Sequence, residues 1–353
     1  MSDAILESIP GLSPGASEPV FDVLVIGAGP TGLACAIDAQ NAGFRAVLVD
    51  KGCLCNSLYH YPAHMTFFTT PELLEIGNIP FPSPNQKPNR NEALQYYRQV
   101  AAHYKLDVRQ YQNVEQVTGS DGDFRVSLRD RFERPSHLNA RRLIVATGYY
   151  DLPNYLGIKG EGLSKVMHYY DDPHPYSGLD ILVIGGKNSA AIAALELWRH
   201  GARVTLVHRG PEIHRHVKYW IKPDIENRIK AGEIAAWFKT EVVEITEDTV
   251  VLKTPRSRQT LKNDFVFALI GYHPDFDFLE SLGVHSVGAD RMPVCDPESL
   301  ESNVRGIYLA GVIVAGARTN EIFIENGRFH GAQIAADLVK KRTPSVGFTS
   351  QSL

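Results

Sequence analysis

Cysteine is scarce in this sequence, and no apolar run is both long and unbroken. The 353 residues include four cysteines, too few and too scattered for a disulfide scaffold, so a reducing compartment such as the cytoplasm is expected. The most apolar stretch, residues 23–39, contains three glycines and one proline. The sequence therefore predicts no membrane-spanning helix.

Blocks of like charge are also missing, and the formal net charge is −4. Nucleic acids and anionic membranes are not expected as partners, because both require a concentrated basic surface. Residues 1–19 lack the basic and apolar regions of a signal peptide. We interpret them as a flexible leader, and the Ser/Thr-rich residues 342–353 as a flexible tail.

The sequence does contain a repeated pattern of strand, glycine-rich turn, helix and second strand. The first copy begins VLVIGAGPTG at residues 23–32, and its second strand, residues 46–49, ends in Asp50. The second copy begins ILVIGGKNSA at residues 181–190, and its second strand ends at residues 208–209. Each copy spans about 30 residues, which is typical of the βαβ unit that binds dinucleotides.

The first copy has glycine at every position that a bound diphosphate requires. Gly27, Gly29 and Gly32 let backbone N–H groups approach a diphosphate without a Cβ in the way, and the following helix presents its positive end. Asp50 is placed to accept hydrogen bonds from ribose hydroxyls. Tight turns also use glycine, but the strand, the helix and the acid together favour a dinucleotide site.

The second copy departs from this pattern at three positions. Lys187 replaces the middle glycine, and Ala190 replaces the last one. His208 and Arg209 stand where the first copy has its acid. An acid there would repel a 2′-phosphate and a basic pair attracts it, so NADPH is favoured over NADH. Lys187 and Arg215 add charge to the same pocket, and the alternative is a solvated basic turn.

Three further apolar strands, at residues 143–148, 265–271 and 307–311, each end in glycine. The first two lie downstream of one repeat each, where the chain would leave that unit. These positions favour an α/β fold with two Rossmann-like domains, one inserted into the other. The predicted domains are a discontinuous FAD-binding domain of residues 20–152 and 275–341 and an inserted NADPH-binding domain of residues 153–274.

The two glycine motifs, residues 146–148 and the strand at 306–311 together resemble the two-dinucleotide flavoprotein reductases. The length of the chain is similar to that of the low-molecular-weight thioredoxin reductase branch. This resemblance implies FAD at the first motif and NADPH at the second, with hydride passing from nicotinamide to flavin. It also implies a homo-oligomer, a dimer or a dimer of dimers.

Longer strings carry a more specific resemblance. They are NSLYHYP (56–62), MTFF (65–68), LEIG (74–77), GGKNSA (185–190), VKYWIKPD (217–224) and FIENGR (323–328). These strings are similar to the bacillithiol disulfide reductase family, which implies reduction of the disulfide of a low-molecular-weight thiol. That family often carries cysteine within its first glycine motif, where this chain has Thr31.

The sequence lacks the CxxC pair that thioredoxin reductase carries before its second glycine motif, since residues 168–175 contain no cysteine. Cys53 and Cys55 form a CxC pair and are the candidate catalytic residues, because their disulfide would close a small, strained ring. We favour the alternative that both line a loop near the flavin. Cys35 is expected in the core, and Cys295 in a structural turn.

The candidate cofactor residues follow from the motifs and from the family resemblance. For FAD they are Gly27, Gly29, Pro30, Thr31, Gly32, Asp50, Lys51, Asn56, Tyr61, Val114, Ala146, Thr147, Gly148, Gly311, Glu321 and Ile322. For NADPH they are Gly186, Lys187, Asn188, Ser189, Ala190, His208, Arg209, Arg215 and Gly271. Four aromatic residues are candidates to flank the flavin, with at least half of them expected in the core: Tyr59, Tyr61, Phe67 and Phe68. In the resembling fold, a helix that is expected to begin near Thr319 points its N-terminus at the flavin.

Several histidines are conceivable proton donors, and the sequence does not select among them. They are His60, His64, His168 and His330. Another three, His208, His214 and His216, lie in or near the predicted phosphate-binding turn. No metal site is expected there.

Two other reaction classes stay open. The missing CxxC pair and Thr31 are equally compatible with reduction of a small ferredoxin- or flavodoxin-like protein. A flavin monooxygenase shares the two-motif plan, but its signature needs glycine and histidine closer together than Gly162 and His168 are. The partner is expected to be a small-molecule disulfide or a small redox protein.

Replacing Arg209 by Ala is expected to weaken NADPH binding. A charge-assisted hydrogen bond contributes about 1.5–3 kcal/mol, so the KM for NADPH should rise by roughly one to two decades. Steady-state kinetics with NADPH and with NADH measure the effect. An unchanged preference for NADPH in this variant would contradict the assignment of Arg209 to the 2′-phosphate.

Overall fold

The computed structural model describes residues 19–342. The predicted leader and tail lie outside the described residues, apart from Pro19 and Arg342. Within the described range, no helix combines the length and the apolar character needed to cross a bilayer.

The described residues form strands, α-helices and short 3₁₀ helices. The strands are β1 (Val20–Ile26), β2 (Ala46–Val49), β3 (Asp107–Arg109), β4 (Gln112–Ser120), β5 (Asp123–Asp130), β6 (Pro135–Val145), β7 (Val166–Met167), β8 (Asp180–Ile184), β9 (Arg203–His208), β10 (Ala235–Phe238), β11 (Glu241–Ile245), β12 (Thr249–Lys253), β13 (Arg258–Lys262), β14 (Phe265–Ala268), β15 (Ser286–Val287), β16 (Met292–Pro293) and β17 (Ile307–Leu309). The α-helices are α1 (Pro30–Asn41), α2 (Asn56–Tyr59), α3 (Arg90–His103), α4 (Asn188–Arg199), α5 (Lys222–Lys230), α6 (Phe276–Ser281), α7 (Ile324–Gly327) and α8 (His330–Lys340). Short 3₁₀ helices span Pro71–Leu73, His174–Tyr176 and Gly311–Ala315.

The first sheet takes strands from both ends of the chain. Its order is β3-β2-β1-β6-β5-β4, and β17 also pairs with β6. Strands β1, β2, β3 and β17 run parallel to their neighbours, whereas β4, β5 and β6 pair antiparallel. The register places Ile307 beside Leu143 and Leu309 beside Val145. The last strand of the chain thus completes a sheet that the first strand began.

The second sheet comes from the middle of the chain. Its order is β10-β9-β8-β14-β7, with all pairs parallel. Strands β11, β12 and β13 form a separate antiparallel sheet. The predicted α/β fold class with two Rossmann-like units is confirmed. The domain boundaries at residues 152–153 and 274–275 stay predictions.

The apolar runs of β1 and β8 are continuous because both faces of each sheet are covered. In β1, Val23 and Val25 belong to the buried cluster that includes α1 and α8. The alternate residues Leu24 and Ile26 belong to a second buried cluster on the other face. Strand β8 repeats this arrangement with two further clusters. Parallel strands buried on both faces read as unbroken hydrophobic sequence, as observed here.

The chain crosses between the two sheets twice, and the two crossings pair with each other. Pro153 forms an antiparallel bridge with Tyr272. The Asn154 N–H donates to the Gly271 carbonyl at 2.9 Å, and the His273 N–H donates to the Leu152 carbonyl at 3.0 Å. The connection between the sheets is therefore a two-stranded link.

The prediction that a helix begins near Thr319 is wrong by about one helical turn, since α7 begins at Ile324. The side chain of Asn326 accepts the Phe323 N–H at 2.7 Å and donates to the Glu321 carbonyl at 2.9 Å. These bonds hold the chain in a non-helical turn until Phe323. Local side-chain bonding of this kind competes with the helix.

Candidate functional site

The first glycine turn is tightly packed on one side and open on the other. Gly27 has φ +107°, and a methyl group placed on it would lie 2.4 Å from the Ala146 carbonyl oxygen. A methyl group on Gly32 would lie 2.0 Å from the Gly27 oxygen. On Gly29, by contrast, it would meet no described atom within 4 Å. Gly27 and Gly32 are thus required by the fold, whereas Gly29 borders the open side of the turn.

The helices that follow the two glycine turns begin without side-chain caps. Within the described residues, α1 and α4 have neither a side-chain hydrogen bond at the N-cap nor an acid in the first turn. Helix α3, in contrast, has a complete capping box made by Asn89 and Glu92. Pro30, the first residue of α1, has no N–H to leave unpaired. The free N–H groups of α1 and α4 suit an anionic ligand such as a diphosphate.

Asp50 lies at the carboxyl end of β2 and fastens the first glycine turn. Its two carboxylate oxygens accept the Ala28 and Gly52 N–H groups, each at 2.8 Å. Burial raises the pKa of Asp50, and nearby Asp151 adds to the increase, while the two N–H groups oppose it. Donors from ribose hydroxyls would stabilise the charged carboxylate further, so this environment fits a ribose.

Two other FAD candidates lie near Asp50. The backbone N–H two residues before Val114 donates to the Asp50 carbonyl at 2.8 Å. Lys51 forms an ion pair with Asp151 at 3.0 Å. Residues 146–148 follow β6, which is separated from β2 by β1, and Gly148 has φ +73°. The sheet order brings these separate segments to one edge.

Thr31 lies where α1 meets the last part of the chain. A methyl group placed on Gly311 would lie 3.3 Å from Thr31 Cγ2, and one on Gly327 would lie 3.2 Å from Thr31 Oγ1. Ile322 also borders Gly327, whereas Glu321 is exposed in the preceding turn. The structure therefore brings Thr31, Gly311 and Ile322 together. Glu321 lies outside this group.

In the second motif, a histidine packs where the first motif has its carboxylate. A methyl group on Gly186 would lie 2.5 Å from His208 Nε2, and one on Gly210 would lie at the same distance. The imidazole therefore lies between two glycines, against the glycine turn. Lys187, at the position matching Gly29, is exposed and directly precedes α4.

Three other NADPH candidates take different places around this turn. Ala190 is buried, and its Cβ lies 2.8 Å from a methyl group placed on Gly185. Ser189 is exposed in the first turn of α4. Gly271 follows β14 with φ +100° and is part of the crossing between the sheets.

A group of positive charges surrounds the second glycine turn. Lys187, Arg209 and Arg215 are all exposed. Burial lowers the pKa of His214, and Lys187 and Arg215 lower it further. Burial also lowers the pKa of His208, to which Arg209 contributes. Both imidazoles are neutral at neutral pH, and a phosphate monoester would relieve the repulsion among the remaining charges.

The cysteines are all free thiols. Cys35 and Cys55 are buried in the core of the first sheet, and Cys295 is partly buried. Cys53 is partly exposed, and its N–H donates to Asn56 Oδ1 at 3.3 Å. Burial raises the pKa of Cys53 and raises that of Cys55 much further, and the Asp50 charge adds to both. Neither thiol is activated in this arrangement.

The histidine candidates differ in their surroundings. His60 and His64 are exposed, and the side chain of His168 is mostly buried. His330 Nδ1 accepts the Gly311 N–H at 3.0 Å, and burial lowers the pKa of its imidazole. His330 therefore acts as a neutral acceptor that holds the turn at Gly311. Among the described residues, no group of side chains is arranged to hold a metal ion.

Comparison with known proteins decides the family. Residues 24–311 match the family model described as pyridine nucleotide-disulphide oxidoreductase. The chain belongs to this family. It is 45% identical over 321 residues to bacilliredoxin reductase Bdr of Bacillus subtilis (strain 168), with 90% of this chain and 97% of that protein covered.

Two solved structures are similar over nearly the whole chain. Bacillithiol disulfide reductase Bdr (YpdA) from Bacillus cereus has a TM-score of 0.90 and 44% identity, covering 91% of this chain and 99% of that one. The enzyme of the same name from Staphylococcus aureus has a TM-score of 0.88 and 40% identity, covering 93% and 100%. The resemblance inferred from the sequence is confirmed. The protein is a flavin-dependent disulfide reductase that binds FAD and uses NADPH.

Sequence reasoning missed a cluster of tyrosines beside the crossings between the sheets. The ring centroid of Tyr150 lies 4.7 Å from those of Tyr61 and Tyr272. Tyr169 stacks on Tyr272 at 5.3 Å, and its hydroxyl donates to the Tyr150 carbonyl at 2.8 Å. A signal was present, since Tyr150 and Tyr272 closely follow glycines that end strands. Tyr61, a flavin candidate, packs in this cluster.

The four predicted flavin-flanking aromatic residues are dispersed. Tyr59 is 53% exposed, and Phe67 is buried in the core of the first sheet. Phe68 packs instead against the core of the second sheet. Phe67 and Phe68 are adjacent in the sequence, and only tertiary contacts place them in different cores.

Two arginines that are not among the candidate cofactor residues hold the loop between α2 and α3. Arg90 Nη1 donates to the Tyr59 carbonyl at 3.0 Å and to the Tyr61 carbonyl at 2.8 Å. Arg328 Nη1 donates to two carbonyls in the segment 72–75, each at 2.8 Å. The bond from Arg328 to the Glu75 carbonyl joins two of the quoted strings, residues 323–328 and residues 74–77.

Replacing Gly29 by Ala is expected to remove FAD without unfolding the protein. The added methyl group meets no protein atom within 4 Å and the φ of −76° is allowed, but it extends into the open side of the turn. The flavin absorbance of purified protein and the thermal midpoint of the apoprotein measure the two effects. The matched control is Gly32→Ala, which should lower the apoprotein midpoint, and full flavin content in Gly29→Ala would contradict the site.

Mild acid is expected to destabilise the turn at Gly311 through His330. Burial holds the pKa of His330 in the folded protein below its ordinary value of 6.5, so the unfolded chain binds the proton first as pH falls, and folded stability declines below that value. His330→Asn keeps an acceptor near the Nδ1 position and does not titrate. Between about pH 7 and about pH 5.5, the thermal midpoint of the His330→Asn variant should depend less on pH than that of the wild type. Identical pH profiles would exclude this role of His330.

Proposed function

We propose that the protein reduces the disulfide of a low-molecular-weight thiol of the bacillithiol type, at the expense of NADPH. The observation that carries the proposal is the pair of uncapped helix N-termini, one beside Asp50 and one beside a basic cluster. The balanced reaction is NADPH plus a proton plus the disulfide, giving NADP⁺ and two thiols. When bound, FAD supplies the transfer of two electrons from nicotinamide to the acceptor.

The first glycine turn is proposed to hold the diphosphate of FAD. Within this turn, Thr31 and Gly32 would offer their backbone N–H groups at the start of α1, and Asp50, which already accepts the Ala28 N–H, would also accept from the ribose. Gly311 and residues 146–148 would complete the site from neighbouring strands of the first sheet. The second turn is proposed to hold NADPH through Asn188 and the free N–H groups of α4.

Arg209, Arg215 and Lys187 are proposed to bind the 2′-phosphate of NADPH. His208 has a different role from the one its sequence position suggests, because its ring packs between Gly186 and Gly210 and is neutral. It supports the shape of the glycine turn, and the charge comes from the exposed guanidinium and ammonium groups.

The acceptor is proposed from the names of the relatives. The Bacillus subtilis relative is named for bacilliredoxin, and the solved Bacillus cereus and Staphylococcus aureus proteins are named for bacillithiol disulfide. Each name supports a disulfide acceptor, and the two differ in which molecule carries it. We also propose a cytoplasmic homo-oligomer, following the family resemblance.

Anaerobic stopped-flow spectroscopy on the flavin-loaded protein tests the proposed acceptor. NADPH should bleach the flavin band, and bacillithiol disulfide should restore it at least about tenfold faster than ferredoxin or flavodoxin, because a site built for one acceptor discriminates by several kcal/mol. A separately added bacilliredoxin shows whether a protein disulfide is used. Rapid recovery with ferredoxin and none with either disulfide would overturn the proposal in favour of an electron-transfer reductase.

The same assay decides whether Cys53 or Cys55 takes part. Both pKa values are raised, so Cys53→Ser and Cys55→Ser should each recover the flavin band within about twofold of the wild-type rate. Cys295→Ser is the matched control, because Cys295 is also partly buried with a raised pKa. A loss of recovery in a Cys53 or Cys55 variant alone would establish a redox role for that thiol.

A further inference from the structure

The segment between β9 and α5, residues 210–221, is called here the strap, and it passes directly over the second glycine turn. The His214 N–H donates to the Gly186 carbonyl at 2.9 Å. The Lys218 N–H donates to Asn188 Oδ1 at 2.9 Å. The strap therefore bonds to the glycine turn and to the first residue of α4, the two elements that surround the proposed NADPH diphosphate.

One side of the strap is anchored in the core of the second sheet. Ile213, Val217 and Ile221 are 1%, 4% and 8% exposed and belong to the same buried cluster. Between these anchors lie the polar residues that face outward, including the exposed Arg215. The position of Arg215 therefore depends on how firmly the strap is held at both ends.

The C-terminal end of the strap is held by residues from the other half of the molecule. The ring of Trp220 meets that of Phe68 edge-on at 6.0 Å, and Lys87 Nζ lies 3.4 Å above the Trp220 ring. Lys218 Nζ lies 5.3 Å from the Phe68 ring centroid. Phe68 and Lys87 come from the segment between α2 and α3, and Phe68 packs on the core of the second sheet. We call Phe68, Lys87 and Trp220 the latch.

We propose that Trp220 is a positioning residue for NADPH recognition, which acts by fixing the strap against Phe68 and Lys87 so that Arg215 stays at the 2′-phosphate. The latch makes the preference for NADPH over NADH depend on residues outside the NADPH-binding unit. This inference rests on the proposed placement of NADPH at the second glycine turn. Releasing the latch frees the strap, and ordering it again on binding costs affinity.

The test follows flavin bleaching by NADPH and by NADH in the flavin-loaded enzyme, which yields a Kd and a limiting rate for each. Trp220→Ala and Phe68→Ala should each reduce the preference for NADPH by about fivefold, the effect expected for loss of one aromatic or cation–π contact. The double variant should show the same loss and no more, because both changes release one latch. The limiting rate at saturating NADPH should change by less than about twofold.

Milder and matched variants separate positioning from general damage. Trp220→Phe should keep most of the preference, since the aromatic contact with Phe68 survives. Phe132→Ala is the matched control, because Phe132 makes its cation–π contacts with Arg131 and Arg134 in the turn between β5 and β6, at 4.7 and 4.9 Å, and should leave the preference unchanged. Flavin content and thermal midpoint are measured for every variant.

Three outcomes would overturn the proposal. They are an unchanged or increased preference for NADPH, equal weakening of NADPH and NADH with loss of flavin, and strictly additive effects in the double variant. The experiment uses only reduction of the flavin by the nicotinamide. Its result is therefore independent of which disulfide reoxidises the enzyme, and failure of the proposed acceptor would leave it intact.

Discussion

Unpaired backbone N–H groups at the start of α1 and α4 are the constraint around which the rest of the molecule is arranged. Helix α3 satisfies its first N–H groups with a side-chain cap made by Asn89 and Glu92. The two glycine turns leave those donors uncapped and exclude side chains from their approach. Such donors can be satisfied by water or by an anionic ligand, and the glycines leave room for the ligand. The parallel sheets, the buried strands and the positive-φ glycines all serve to place these two helix ends.

The two turns are built alike and differ in what supports them. Asp50 bonds the first turn through two backbone N–H groups, whereas the ring of His208 packs on the second. The carboxylate belongs with a ribose that donates hydrogen bonds. The neutral imidazole leaves the surrounding guanidinium and ammonium groups free to attract phosphate. The proposed FAD and NADPH sites differ by this exchange of residue type at the end of a strand.

The strap and the latch show how the two units depend on each other. The strap bonds to the second glycine turn, but its end packs against Phe68 and Lys87, which belong to the other half of the chain. The tyrosines around Tyr150 and Tyr272 fill the space beside the paired crossings. In the role proposed for Trp220, the position of Arg215 depends on these contacts between the two units. The string VKYWIKPD (217–224) contributes Val217, Lys218 and Trp220 to these contacts.

The sequence by itself determined the two βαβ units, their cofactors and the family, because glycine spacing, apolar runs and an acid or base at a strand end are local properties. Cys35 was correctly assigned to the core for the same reason. Only the tertiary structure decided that His208 packs on a glycine, that Phe67 and Phe68 serve different cores, and that α7 begins at Ile324. Each of these depends on contacts between residues far apart in the chain or on a side-chain bond that competes with a helix. Periodicity and propensity carry no record of such contacts.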